Sequence, residues 1–221
     1  MTEPKTDPRL YDVLASLNEI GATVNQIGQD GKVSVETTLD LIVNSAIRVV
    51  PGASAVIYAF DSSSEKFINS SRVSAGSADL GNAGDEPRPD GLGFRAIRQR
   101  RKVLSYEEKD ISIHPVRAGS GARVMGCFPL IVASSPVGAL YVYLPDEREF
   151  SQLELLMLDN FVNQAAMAIY HAHNLELMQR NLSRKDEEIK RMRRAGLFIS
   201  SRLRIEETLE SILQMALEVT G

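Results

Sequence analysis

Tryptophan is absent from this chain, cysteine occurs once and histidine three times. The single thiol, Cys127, excludes an internal disulfide framework and any metal centre built on several thiolates. His171 and His173, two apart on a helical segment, point to different faces, so no metal site is expected. No apolar run reaches the ~18 residues needed to span a bilayer, so no membrane contact by this segment is expected. The opening "MTEPKTDPRL" lacks the basic start and apolar stretch of a signal peptide, and a cytoplasmic location is expected. P-loop, HExxH, kinase and Ser/His/Asp signatures are all missing, and no catalytic residue is assigned.

What is present describes a globular protein: 43% of residues are hydrophobic and 24% charged, with a net charge of -4. Asp7 and Pro8 start a first helix with Leu10, Val13, Leu14, Leu17, Ile20 and Val24 on one stripe. "GQDGK" ends it, and Ser34 caps a second helix with Leu39, Ile42, Val43, Ala46 and Val49 inward, stopped by Pro51 and Gly52. From Ala53 the period becomes strand-like: "ASAVIYAF" and "KFINSSRVS" flank the turn "DSSSE". Residues 76–91 read as loop, "GLGFRAIRQR" as a short helix and "KVLSY" as a brief strand, followed by a polar loop with His114 and Pro115. "ARVMGCFPLIV" and "VGALYVYL" form a central antiparallel hairpin around "ASSP". All strand pairings are expected to be antiparallel except that of the small middle strand. The order is that of an α+β fold, a sheet with helices on one face and loops plus a short helix on the other.

Ser151 and Glu154 then form a capping box at the start of a helix with no evident stop before Gly196. Extended to Leu203, it would be roughly 80 Å long. Leu175, Leu182, Ile189, Gly196 and Leu203 fall seven apart, interleaved with Met178, Lys185, Met192 and Ile199, a heptad seam weakened by Lys185 and Gly196. A parallel homodimer is expected, with Leu175, Met178, Leu182, Ile189 and Met192 in its interface. Between His171 and Arg204, nine Lys or Arg face four Asp or Glu. No recognition motif accompanies this surplus, so it reads as solvated coiled-coil flank and no nucleic acid partner is expected.

The final "RIEETLESILQMALEVTG" repeats "VETTLDLIVNSAIRVVPG" at a constant offset of 170, pairing Ile205 with Val35, Leu209 with Leu39, Ile212 with Ile42 and Ala216 with Ala46. Internal repetition of this kind points to a repeated structural unit. Cys127 lies within an apolar strand, where a free cysteine usually packs as a small hydrophobe. His114 could pair with Cys127, bind a ligand, ligate a haem or simply be solvated.

"GLGFRAIRQRRKVLSYEEKD" followed by "GARVMGCFPLIVASSPVGALYVYLPDEREFSQLELLMLDNFVNQAAMAIYHA" resembles the GAF domain. Gly91, Gly93, Pro129, Leu130, Val137, Gly138, Leu140 and Phe150 fill the places of that family's pattern. The resemblance implies a six-stranded antiparallel sheet, terminal helices on one face, a small-molecule pocket on the other, and a regulatory role. It divides the chain into an N-terminal helix (1–28), a sensory domain (29–173), a coiled-coil linker (174–204) and the first helix of a second such domain (205–221). The implied parent is a larger signalling protein such as a sensor histidine kinase.

Tyr58, Leu92, Phe94, Ile97, Tyr106, His114 and Cys127 are expected to line the pocket. Leu144 and Pro145 stand where cyclic-nucleotide-binding members carry an Asn-Lys pair. His114 follows Ile113 and Cys127 precedes Phe128, unlike the Cys-His pair of bilin-binding members, and one cysteine cannot supply the relay of the free methionine sulfoxide reductases. No cofactor is assigned. Two alternatives stay open: a thiol enzyme using Cys127 and His114, and a ligand-free domain that only dimerises.

Overall fold

The computed structural model describes residues 35–76, 86–108 and 110–220, together with Ala15, Asn18, Gly21 and Ala22. Those four positions are helical; the rest of the expected first helix, the Ser34 cap and residues 77–85 lie outside the described residues. The chain divides into two units, Met1–His173 and Asn174–Gly221.

In the first unit, helix α1 (Val35–Val49) opens with Glu36 and closes with Arg48, charges that complement its macrodipole. Leu39, Ile42, Val43 and Ala46 are buried. The helix ends at Pro51 and at Gly52, whose φ of +79° suits glycine. Strand β1 (Ser54–Asp61) turns into β2 (Lys66–Ala75) through "DSSSE". Asp61 accepts from the Ser63 amide and hydroxyl and from the Ser64 hydroxyl, which hold its carboxyl down to about 2. Helix α2 (Leu92–Gln99) and strand β3 (Val103–Leu104) follow. The stretch read as polar loop contains a short helix, α3 (Pro115–Gly119), with His114 as N-cap and proline in the first turn, where no N–H is needed.

Strands β4 (Val124–Val132) and β5 (Ser135–Leu144) form the hairpin. Its loop is tighter than "ASSP": Val132 pairs with Ser135, leaving only Ala133 and Ser134, both with positive φ (47° and 68°) as a two-residue primed turn requires. The sheet order is β2-β1-β5-β4-β3, with β5 in the middle. Two expectations are corrected. Five strands are found among the described residues, not six; only five stretches have strand periodicity, and the sixth came from the family resemblance alone. The small strand β3 also pairs antiparallel, Val103 opposite Cys127.

Alternation along the strands sorts the core into two layers. Val56, Tyr58, Phe60, Met125, Cys127, Ala139, Tyr141 and Tyr143 share one cluster with Leu92, Ala96 and Ile97 of α2. On the opposite face a Cβ at Gly138 would touch Ile169 of helix α4 (Gln152–Thr220). Helix α1 packs on β1 and β2 and contributes nothing to the α2-side cluster, so it shares the α4 face. Phe128, Leu140, Leu158 and Phe161 are fully buried, each stabilising by about 2 kcal/mol. The capping box forms: the Ser151 amide donates to Glu154 at 2.8 Å and the Glu154 amide to the Ser151 hydroxyl at 3.2 Å.

In the second unit α4 continues as helix. Met178, Leu182, Ile189, Met192, Phe198, Ile199, Ile205, Leu209, Ile212 and Val219 are exposed there, and Leu175 is half-buried.

Candidate functional site

Two strands, β1 and β5, deliver three tyrosines to the α2 side of the sheet. Tyr58 sits where the β1–β2 ladder is interrupted, between Ile57 and Ala59; such irregularities re-aim side chains near sites. Tyr141 and Tyr143 follow at the two-residue period on β5, with rings nearly parallel at 6.4 Å, and Tyr58 meets Tyr141 edge-on at 6.0 Å. The first turn of α2 lies over them. A Cβ built on Gly93 would collide with the Tyr141 hydroxyl, so only glycine allows this approach.

The resulting cavity is lined by Tyr58, Met125, Tyr141 and Tyr143 from the sheet, Gly91, Leu92 and Gly93 from the start of α2, and Glu86, Pro87, Arg88, Ser112 and His114 from two loops. Its volume is about 20 Å³, room for a single water. The loops are tied down by charge. Arg95 of α2 donates through both terminal nitrogens to Asp110, at 3.0 and 2.6 Å, and also to Glu108. Arg88 donates to the Ser112 carbonyl at 2.9 Å.

Burial dominates the electrostatics. It pushes Tyr141 well above the usual phenol range and raises Tyr143, although Arg117 opposes the latter. The Arg117 guanidinium lies 5.0 Å from the centre of the Tyr143 ring, and the residue is only 2% exposed. His114 is held below the ordinary imidazole range by burial and then by Arg88. Its Nδ1 accepts from the Val116 amide at 3.3 Å, so the neutral form caps α3. The Tyr141 hydroxyl is buried without a hydrogen-bond partner.

The residues expected at a pocket separate into groups. Tyr58, Leu92 and His114 come together in the cavity wall. Phe94 instead meets Phe60 and Phe67 edge-on, at 6.1 and 5.0 Å, and Ile97 is buried in the layer beneath α2. Cys127 is fully buried in the same layer, and desolvation alone drives its thiol upward, the reverse of what a thiolate nucleophile needs. Tyr106 is elsewhere, hydrogen-bonded to the Phe150 backbone near Glu149 and Glu154. Arg88, Tyr141, Tyr143 and the buried Arg117 were not singled out from sequence. The two tyrosines carried a signal, since "YVY" places both on one face of a strand. Among the described residues no cluster of three or more His, Cys, Asp or Glu could hold a metal, and no helix is long and apolar enough to cross a membrane.

A five-stranded antiparallel sheet with helices on one face and a small tyrosine-walled cavity on the other defines the class of α+β domain. The family model described as "GAF domain" matches residues 32–169, and the chain belongs to that family. No protein of curated function matches the sequence. Among solved structures, the GAF domain of an Acinetobacter phosphoenolpyruvate-protein phosphotransferase is similar at 18% identity and TM-score 0.58, over 74% of this chain and 96% of that one. Free methionine-R-sulfoxide reductase from Neisseria meningitidis, solved with its substrate, is similar at 12% identity and TM-score 0.58, over 79% and 98%. A domain assigned to a two-component sensor histidine kinase of Sinorhizobium meliloti 1021 follows at 16% identity and TM-score 0.50, over 65% and 97%. At these identities the likeness is one of fold. GAF domains are sensory signalling modules, and that coarse role extends to this chain.

Proposed function

We propose that this chain is the sensory and dimerisation segment of a larger cytoplasmic signalling protein. A small molecule enters the cavity between α2 and the sheet, and α4 carries the response toward an output domain such as a histidine kinase. The observation that carries the reading is the central position of β5. Its Ala139, Tyr141 and Tyr143 belong to the cavity layer, while Leu140, Val142 and Leu144 are buried on the α4 side. A shift of β5 that accommodates a ligand therefore moves both layers, because close-packed cores pass strain on.

The second unit supports pairing of two copies. Met178, Leu182, Ile189 and Met192 stand exposed at heptad spacing, and two such helices bury their seams against each other. The tandem arrangement is supported by the repeat, in which Leu209, Ile212 and Ala216 occupy the places of the buried Leu39, Ile42 and Ala46.

The small cavity favours one further reading, a ligand-free domain that only dimerises. Native mass spectrometry of the freshly purified chain separates them: a dimer retaining a small molecule supports the sensor, a dimer without one at any added metabolite supports the second. A monomer at micromolar concentration sinks both.

A further inference from the structure

Within the first unit, helix α4 meets water through a face that carries no charge. Between Leu153 and Tyr170 its exposed residues are Leu153, Leu156, Asn160, Asn163, Met167 and Tyr170. They fall alternately three and four apart, the a and d spacing of a helix that packs along another helix. We propose that this face is a self-pairing surface of the globular domain, covered by the same face of a second copy and aligned by Asn160 and Asn163. The surface goes beyond the pairing read from the second unit, because it lies on other residues and is tested through them alone.

The face differs from its neighbour on the same side of the sheet. Helix α1 exposes Glu36, Asp40 and Arg48 along with Thr37 and Asn44, the charged and polar surface expected of a helix that faces water. The two carboxylates of the α4 stretch are instead bonded within their own chain. Arg148 and the Ser151 amide hold Glu154, at 2.9 and 2.8 Å, and Lys102 holds Asp159 at 2.7 Å. Leu156 is 59% exposed, Met167 40% and Tyr170 39%. Depletion of charge around exposed apolar and aromatic side chains is the compositional mark of an interface core.

The order of these residues identifies the occupant. Read from either end, two large apolar residues are followed by two asparagines and two more large apolar residues. Parallel copies set each residue on itself. Antiparallel copies set Leu153 on Tyr170, Leu156 on Met167 and Asn160 on Asn163. Either way asparagine meets asparagine and apolar meets apolar, the self-complementarity that a two-fold interface needs. With no charge on the face, bringing two copies together meets no like-charge repulsion.

The asparagines set the alignment. Asn160 spends one N–H on the Leu156 carbonyl at 2.9 Å, which leaves its oxygen and second N–H for a partner. Sliding parallel copies by one heptad would bury Asn160 against Leu153 or Met167, with an amide left unpaired. A polar centre of this kind fixes register and weakens the contact, so the surface reinforces a dimer and does not hold one alone.

The test uses the full chain. Leu156→Glu and Met167→Glu change exposed positions, and circular dichroism checks that the fold is kept. Each should raise the dimer dissociation constant measured by sedimentation equilibrium about tenfold or more. Asn160→Cys and Asn163→Cys are then oxidised mildly, singly and mixed, while the buried Cys127 stays out of reach. A covalent dimer of Asn160→Cys alone reports parallel pairing, and one that needs the mixture reports antiparallel pairing; both support the surface. Asn44→Cys, on the outer face of α1, should stay monomeric under the same oxidant. Unchanged dissociation constants in both glutamate variants overturn the proposal, as does the absence of any covalent dimer or equal cross-linking of Asn44→Cys. If Leu182→Glu dissociates the dimer and Leu156→Glu does not, this surface falls while pairing through the second unit stands. A parent chain that is already monomeric removes both.

Discussion

Gly93 and Tyr141 share one volume: the position a side chain would take at the first is already filled by the hydroxyl of the second. Gly93→Ala should therefore destabilise the domain by about 1–3 kcal/mol through overpacking. Combined with Tyr141→Phe, the loss should be smaller than the sum, because the hydroxyl is the nearest atom to the new methyl. Urea denaturation of the two single variants and the double variant measures this. Additive losses would mean that the two residues do not compete for space.

Tyr141→Phe alone should behave unlike an ordinary loss of a hydrogen bond. The hydroxyl has no partner to lose, and its removal relieves a desolvation cost of about 1 kcal/mol. Unfolding of the ligand-free variant should occur at equal or higher urea concentration than the parent. A clear loss of stability would show that the hydroxyl is satisfied in solution.

Stability should decline on the alkaline side. Cys127, Tyr141 and Tyr143 all have folded-state ionisation raised by burial. Below about pH 8.5 the thiol is protonated folded or unfolded, and its contribution is fully present. As pH rises further, the unfolded thiol releases its proton and the folded one does not. The domain should then lose about 1.4 kcal/mol per pH unit, and the tyrosines should steepen the fall above about pH 10. Urea midpoints measured from neutral to alkaline pH give the slope. A flat profile would indicate that these groups ionise in place.

Leu182→Glu and Ile189→Glu place charge on the exposed seam of the second unit and should convert the expected dimer to monomer, while leaving the first unit folded. Sedimentation equilibrium reports the mass and near-ultraviolet circular dichroism the core. Dimers that persist in both variants would move the interface to another surface.

The elements that strand and helix periodicity could reach were legible in the sequence. β1, β4 and β5 are runs rich in strand formers bounded by turn residues, the "KFINSSRVS" of β2 alternates, and Ser151 with Glu154 announced the start of α4 in the form later seen. α3 was missed although His114 and Pro115 spell an N-cap and a first-turn proline, because five residues are too few to show a period. At the cavity, the sequence offered apolar and aromatic residues on plausible faces but could not choose between them. Phe94 is spent on Phe60 and Phe67, and Tyr106 on the Phe150 backbone. Arg117 was invisible for a different reason. A lone arginine in a polar stretch looks solvated, yet Arg117 is buried, with its guanidinium over the ring of Tyr143, a residue distant in sequence.

Cys127 lies opposite Val103 of β3, a strand of two residues at the sheet edge, and beneath α2. The sole thiol of the chain is thus sealed by one of its shortest elements. Its modification by a small electrophile requires that edge to part, so the labelling rate becomes a clock for local opening, wound into the protein without any added probe.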